Sequence, residues 1–204
     1  MHCTANRESG GNGEILKVLS ESSGHYTDVS EDSYRFVHLC LGINPKSYIQ
    51  HYGGVVRYFN GLIHNLPESI HPTLLATSPP SIGPTHPNLK THIESCGPLL
   101  WPIKPLRKQI IARRTFQRLE SEKPDVFHPT YYYSSLRHLF QQVKVPTVVT
   151  VYDLIHERFP DQMDPKGKQR ALKIAALKRA DAIICISHST KRDLLNYYSI
   201  AEEK

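Results

Sequence analysis

The sequence predicts an α/β fold: a Rossmann-like, doubly wound parallel sheet. Three observations carry that reading. Short apolar runs rich in β-branched residues recur along the chain. Helical patterns of ten or more residues separate them. The runs are apolar on both faces rather than alternating, as strands covered by helices on both sides must be.

The chain has 204 residues and a formal net charge of +6. A domain of this size buries roughly 70% of its unfolded surface and needs no disulfide or metal staple. The four cysteines, Cys3, Cys40, Cys96 and Cys185, are scattered, with no C-x-x-C pair. Reduced thiols are expected, not a disulfide framework or a zinc site. The positive charge favours anionic partners but says nothing about fold. No apolar stretch approaches the roughly 18 residues of a membrane span, and the first residues lack the apolar core of a secretory signal. The expectation is a cytoplasmic protein.

Residues 1–33 are rich in Ser, Gly, Glu, Asp and Asn. Their one apolar patch, Ile15 to Leu19, is too short for a core. A disordered or weakly ordered tail is expected there, and one domain over 34–204.

Phe36 to Ile43 reads as the first buried strand. After Gly53-Gly54 comes a helix with Val55, Phe59, Leu62 and Leu66 on one face and Val56 and Ile63 beside them, stopped by Pro67. A short strand follows near Thr73 to Thr77, then a Pro/Ser/Gly-rich loop from Ser78 to Pro87. Another strand is expected near Thr91 to Ser95. Residues 105–121 read as a basic helix with Leu106, Ile110, Ile111 and Leu119 as apolar positions. Asp125 to His128 is a strand ended by Pro129. Val145 to Tyr152 is the clearest strand. Residues 166–180 read as a helix, Ala182 to Ile186 as a strand, and Thr190 to Tyr198 as a helix with a Thr190-x-x-Asp193 capping box.

Open parallel sheets bind ligands beyond the carboxyl ends of their strands, and there the chemistry-bearing residues gather. Gly53-Gly54 follows the first strand. It serves either as a tight turn or as bare amides that receive a phosphate. His128-Pro129-Thr130-Tyr131-Tyr132-Tyr133 follows the Asp125 strand. His128 is either a satisfied core histidine or a cleft group, and the tyrosines either pack or stack on a sugar ring. Tyr152-Asp153 follows the Val145 strand, where Asp153 either caps the next turn or binds substrate hydroxyls. Ser187-His188-Ser189 follows the last strand, with Ser187 a helix N-cap or a cleft hydroxyl. His156-Glu157 is not a metalloprotease motif, because H-E-x-x-H needs a second histidine where Pro160 stands.

Lys104 to Arg118 carries Lys104, Arg107, Lys108, Arg113, Arg114 and Arg118 and no acid. It is either a solvated outer helix or a basic amphipathic surface for anionic lipid. No nucleic-acid-binding motif accompanies it.

Four stretches in order, "YGGVVRYFNGLIHNL", "DVFHPTYYYSSL", "VPTVVTVYDLIHERFP" and "ALKRADAIICISHSTKRDLL", resemble the N-terminal domain of glycosyltransferase family 4, in a mannosyltransferase-like subgroup. The resemblance covers about Tyr34 to Lys204. It implies the N-terminal, acceptor-side half of a two-domain GT-B enzyme, a retaining transferase that moves a sugar from a nucleotide-sugar to an acceptor. On that basis Gly53 and Gly54 approach the transferred sugar and diphosphate. Tyr152 and Asp153 line the reaction centre as its catalytic positions. His128 and Tyr131 help form the acceptor side, and Ser187 faces the cleft near the donor. No cofactor and no metal is implied. The implied partners are a nucleotide-sugar donor, held mainly by a C-terminal domain, and a sugar or lipid-linked acceptor. Peripheral contact with anionic membrane through residues 104–118 is a further expectation. Nucleic acid is not expected.

Two departures stand out. The family often has His-Asp where this chain has Tyr152-Asp153, which leaves Tyr152 without an assigned proton-transfer role. The E-x7-E pair that holds the donor in the family's second domain has no counterpart in residues 34–204. The expectation is a domain truncated before its donor-binding half. The alternatives are a non-catalytic sugar- or nucleotide-binding module, or an inactive gene fragment.

Overall fold

The computed structural model describes residues 37–42, 53–76, 83, 85–94, 104–132 and 144–204. The expected tail over 1–33, most of the Ser78 to Pro87 loop, Tyr133, Cys3 and Cys96 lie outside the described residues. The described elements, in chain order, are β1 (Val37–Gly42), α1 (Gly54–His64), β2 (Ile70–Ala76), β3 (Lys90–Ile93), α2 (Lys104–Glu122) and β4 (Val126–Pro129). Then come β5 (Val148–Val151), α3 (Ile155–Arg158), α4 (Pro160–Met163), α5 (Lys168–Arg179), β6 (Ala182–Cys185) and α6 (His188–Tyr197).

Every strand pairing among the described residues is parallel. Four strands run in the order β3-β2-β1-β4, and β5 pairs with β6. Between β4 and β5 the regular ladder gives way to one parallel bridge, Phe127 with Thr147, and one bond, Phe127 N–H to Pro146 O at 2.8 Å. The six strands therefore follow the order β3-β2-β1-β4-β5-β6, that of a doubly wound sheet built from two mononucleotide-binding halves. The Rossmann-like α/β class read from the sequence is the class observed.

Helices cover both faces. Neighbouring strand residues point to opposite sides. Phe127 belongs to one buried cluster with Cys40, Leu75, Leu119 of α2, Val149, Ala176 of α5 and Ala180. The next residue, His128, points the other way and meets Phe59 of α1. Val151, Leu154, Leu177 and Leu194 form a second cluster that seats α5 and α6 beside β5.

Several boundaries differ from expectation. β2 starts at Ile70 rather than Thr73, through Pro72. Pairing with β3 begins only at Thr73, so on that side Pro72 has no ladder bond to withhold. Pro129 is the last residue of β4 rather than its stop. β5 is shorter than the apolar run, at Val148–Val151. The buried stripe of α1 is Val56, Phe59 and Ile63, with Val55, Leu62 and Leu66 only half-buried. The short helices α3 and α4 leave no mark in the sequence pattern, because four-residue turns are too brief to show a period.

Candidate functional site

The carboxyl end of β5 organises the site. Thr150 is fully buried and serves as a hub. Its Oγ1 lies 2.9 Å from His128 Nε2 and 3.4 Å from the Tyr58 hydroxyl, and its carbonyl accepts from the Tyr132 hydroxyl at 2.9 Å. Three separate elements, α1, β4 and the loop after it, are thereby tied to one residue of β5.

Two residues on, Tyr152 turns outward. Its hydroxyl donates to Thr130 O at 2.9 Å. Its ring stacks on Tyr131 (centroids 6.0 Å apart, planes 20° apart) and meets Tyr58 edge-on at 6.0 Å. Tyr131 leans on Tyr132 at 4.9 Å. Tyr58, Tyr131 and Tyr152 form a half-buried aromatic rim above the buried Tyr132, Phe59 and His128. A proton already given to a carbonyl is not one held ready for transfer, so the Tyr152 hydroxyl here fixes the ring.

Asp153 is exposed. Its Oδ1 accepts from the Ile155 N–H at 3.1 Å, capping the turn into α3. Its backbone carbonyl accepts from Lys173 Nζ at 2.8 Å. Lys173 in turn pairs with Glu157 Oε2 at 2.8 Å, with both side chains 3% exposed. The other Glu157 oxygen accepts from the Tyr198 hydroxyl. Glu157, rejected above as half of a zinc motif, is an ion-pair partner. Among the described residues, no group of three or more His, Cys, Asp and Glu is placed to hold a metal ion.

The titration properties follow from burial. Desolvation pushes the His128 imidazole down to about 3, so at neutral pH it is an uncharged partner of Thr150. Burial raises the Tyr58 hydroxyl, a shift partly offset by its contact with Thr150. It raises Tyr132 well above the usual phenol range. Both remain protonated at neutral pH.

Gly53 is the N-cap of α1, at φ −72° and ψ 158°, and no side chain caps the helix. Both glycines are exposed. A Cβ on Gly54 would meet nothing within 4 Å. Neither a left-handed turn nor close packing demands glycine at 54. The first-turn amides have no intrahelical acceptor, and no side chain among the described residues caps them; a helix N-terminus of this kind welcomes an anion. Ser187 caps α6: its Oγ accepts from the Thr190 N–H at 3.1 Å and lies 3.0 Å from Thr190 Oγ1. The helix starts at His188, so the expected Thr190-x-x-Asp193 capping box is replaced by Ser187 with Thr190 in the third position. The Ile186 N–H donates to Val151 O at 3.3 Å, which sets this loop beside the end of β5.

The structure thus links Tyr131 and Tyr152 by direct ring contact, with Tyr58 bridging to the α1 helix that Gly53 and Gly54 open. Ser187 sits one strand over. His128 lies beneath this rim rather than on it. Tyr58, Thr150, Glu157, Lys173 and Tyr198 escaped the sequence reading. A signal existed for Lys173. It stands at 173 in the stripe 173, 176, 177 of α5, continued by the C-cap residue Ala180; Ala176, Leu177 and Ala180 are buried, and a lysine there must find a partner.

Residues 52–204 match the sequence model described as Glycosyltransferase Family 4. The chain belongs to glycosyltransferase family 4. A comparison with curated proteins finds no match. Among solved structures, two of Os79 from O. sativa, each a variant in complex with UDP, resemble this family 4 domain. One has 14% identity and a TM-score of 0.45, covering 75% of this chain and 47% of that one. The other has 15% identity and a TM-score of 0.41, covering 75% and 46%. The chain thus spans about half the length of those structures.

Proposed function

We infer that this chain is the acceptor-side domain of a retaining, nucleotide-sugar-dependent glycosyltransferase of the mannosyltransferase-like subgroup, acting in polysaccharide or glycolipid synthesis. Family membership supports transferase chemistry. The observation that carries the reading is the carboxyl-end edge of the sheet, where a side-chain-free helix N-terminus, an aromatic rim and an exposed carboxylate share one side. Amides at Gly53-Gly54 hold the diphosphate of the donor. The tyrosine rim takes the apolar face of a sugar ring. Asp153 binds sugar hydroxyls, and Ser187 adds a hydroxyl near the donor. His128 supports the acceptor side from beneath, as the neutral partner of Thr150. Leaving-group stabilisation needs positive charge at the cleft. None of the basic residues of α2 belongs to the strand-end loops, so that charge is the work of a donor-binding domain.

The basic face of α2 makes peripheral contact with anionic lipid at the cytoplasmic side of a membrane. Arg113 and Arg114 are exposed there, while Arg118 is already tied to Glu94 at 3.1 Å. Among the described residues, no helix is long and apolar enough to cross a membrane.

The test is an NMR titration of the chain with GDP-mannose, UDP-glucose and simple mannosides, paired with a product assay. Saturable shifts at Gly53, Gly54, Tyr152 and Asp153 are expected. Saturable shifts confined to other residues would sink this assignment of the site. No shift with any probe would sink the reading of this edge as the acceptor-side site.

A further inference from the structure

The pair Lys173–Glu157 is a buried charge pair that no reading so far employs. It bridges α5 and α3, 16 residues apart in sequence. The ammonium has three neighbours: Glu157 Oε2 at 2.8 Å, the Asp153 carbonyl at 2.8 Å, and the Tyr132 ring with its centroid at 5.8 Å. Both Glu157 oxygens are engaged, since Tyr198 binds the second. An isolated pair of this kind is a poor stabiliser. Desolvating two ions costs about what their attraction returns, and well-packed apolar residues often do as well or better. What apolar residues cannot do is bond a backbone carbonyl. Lys173 bonds that of Asp153, the residue that ends the β5 loop.

We propose that Lys173 and Glu157 are positioning residues that lock the Tyr152-Asp153 turn, and through Tyr132 the neighbouring loop, into the geometry that presents Asp153 to a sugar hydroxyl. This deepens the transferase reading and rests on it for the identity of the ligand. The locking itself is independent of any ligand. Glu157 orients the ammonium, and Tyr198 orients Glu157. The ammonium bonds the Asp153 carbonyl and lies over the ring of Tyr132, whose hydroxyl is anchored on Thr150 O.

The test replaces all three partners with apolar counterparts, Glu157→Leu, Lys173→Met and Tyr198→Phe together, so that no charge is stranded. The expected protein keeps its circular dichroism and thermal midpoint. Its Ile155, Arg158 and Phe159 amides, bonded to Asp153 Oδ1, Leu154 O and Ile155 O, exchange about ten- to a hundredfold faster, the range for losing a hydrogen bond to a charged group. The Phe127 amide, across the sheet, is unchanged. A folded triple variant whose turn amides exchange as in the wild type overturns the proposal. Should the variant not fold, the wild-type protein decides. A slowly exchanging Lys173 ammonium with nuclear Overhauser contacts to the Tyr132 ring supports the lock, and a freely exchanging ammonium without them refutes it. Titration with GDP-mannose and with a mannoside separates the two readings. Binding by the wild type that weakens in the variant supports both. No binding by the wild type of either GDP-mannose or a mannoside overturns the assignment of this edge as the ligand site, and the exchange data alone then judge the lock.

Discussion

His128 shows how one residue's surroundings decide its chemistry. Its imidazole is under Phe59, on Thr150, and held down to about 3 from the ordinary 6.5. A proton is bound more readily in the unfolded chain than in the fold. The stability conferred by the neutral form is complete above about pH 6.5 and is lost as pH falls from there toward 3, by up to about 1.4 kcal/mol per pH unit. Urea midpoints measured from pH 7 to 4 should show this slope, and His128→Gln should flatten it. Gly54 makes the opposite point, since its surroundings ask nothing of it. Alanine at 54 has an ordinary φ and open space, so Gly54→Ala should be neutral or stabilising by roughly 0.4–1 kcal/mol. The same methyl would crowd an anion at the helix N-terminus, so the variant should bind a nucleotide-sugar more weakly while melting no lower. Equal binding would separate Gly54 from the phosphate.

At the scale of elements, caps and pairing set where each segment begins. The α6 cap is Ser187, and its hydroxyl satisfies one first-turn amide. Ser187→Ala should cost about 1 kcal/mol, read as a lower thermal midpoint. If Ser187 also faces the donor, Ser187→Gly, which costs a cap only a few tenths, should still reduce ligand binding. The α5 helix relies on a different device. Asp164 accepts the N–H groups of Lys168, Gln169 and Arg170. Desolvation alone would raise its pKa, but those backbone bonds and the Arg170 side chain outweigh it and hold the carboxyl below its usual range. Gly167, at φ 63°, supplies the left-handed residue that lets the chain turn from Asp164 into the helix. The lock on Asp153 depends on α5, so these capping groups are part of what holds the site.

The described sheet is held at its middle by Phe127. Fully buried, it joins α2, α5, β1, β2 and β5 in one cluster. Its N–H makes the bond to Pro146 O that carries the sheet across the break between β4 and β5. Phe127→Ala should therefore cost about 3–5 kcal/mol, and the loss should appear as a single cooperative transition in urea with a lower midpoint. Two separate transitions would show that the sheet's two parts unfold independently. The break has a functional side as well. It lies at the β4–β5 junction, and the loops that follow those strands carry Tyr131, Tyr152 and Asp153.

The sequence by itself determined the elements. Short continuous apolar runs bounded by turn residues suit strands buried on both faces, and helical periods between them favour parallel pairing, so the doubly wound class was legible from Phe36 to Tyr198. It also determined which loops hold the polar residues, because only turns after strands can carry Gly53-Gly54, Tyr131, Asp153 and Ser187 without breaking a buried run. Tertiary structure alone decided what each residue touches. The Thr150 hub joins residues 92 and 22 positions apart, and the Lys173–Glu157 pair closes over 16. Periodicity reports only which face a side chain lies on; it carries no record of the partner brought there by a crossover. That is why His128 could be read either as core or as cleft until Phe59 was seen lying against it. Lys173 looked like one more basic residue on a helix until burial left it no solvent and a carbonyl gave it a place.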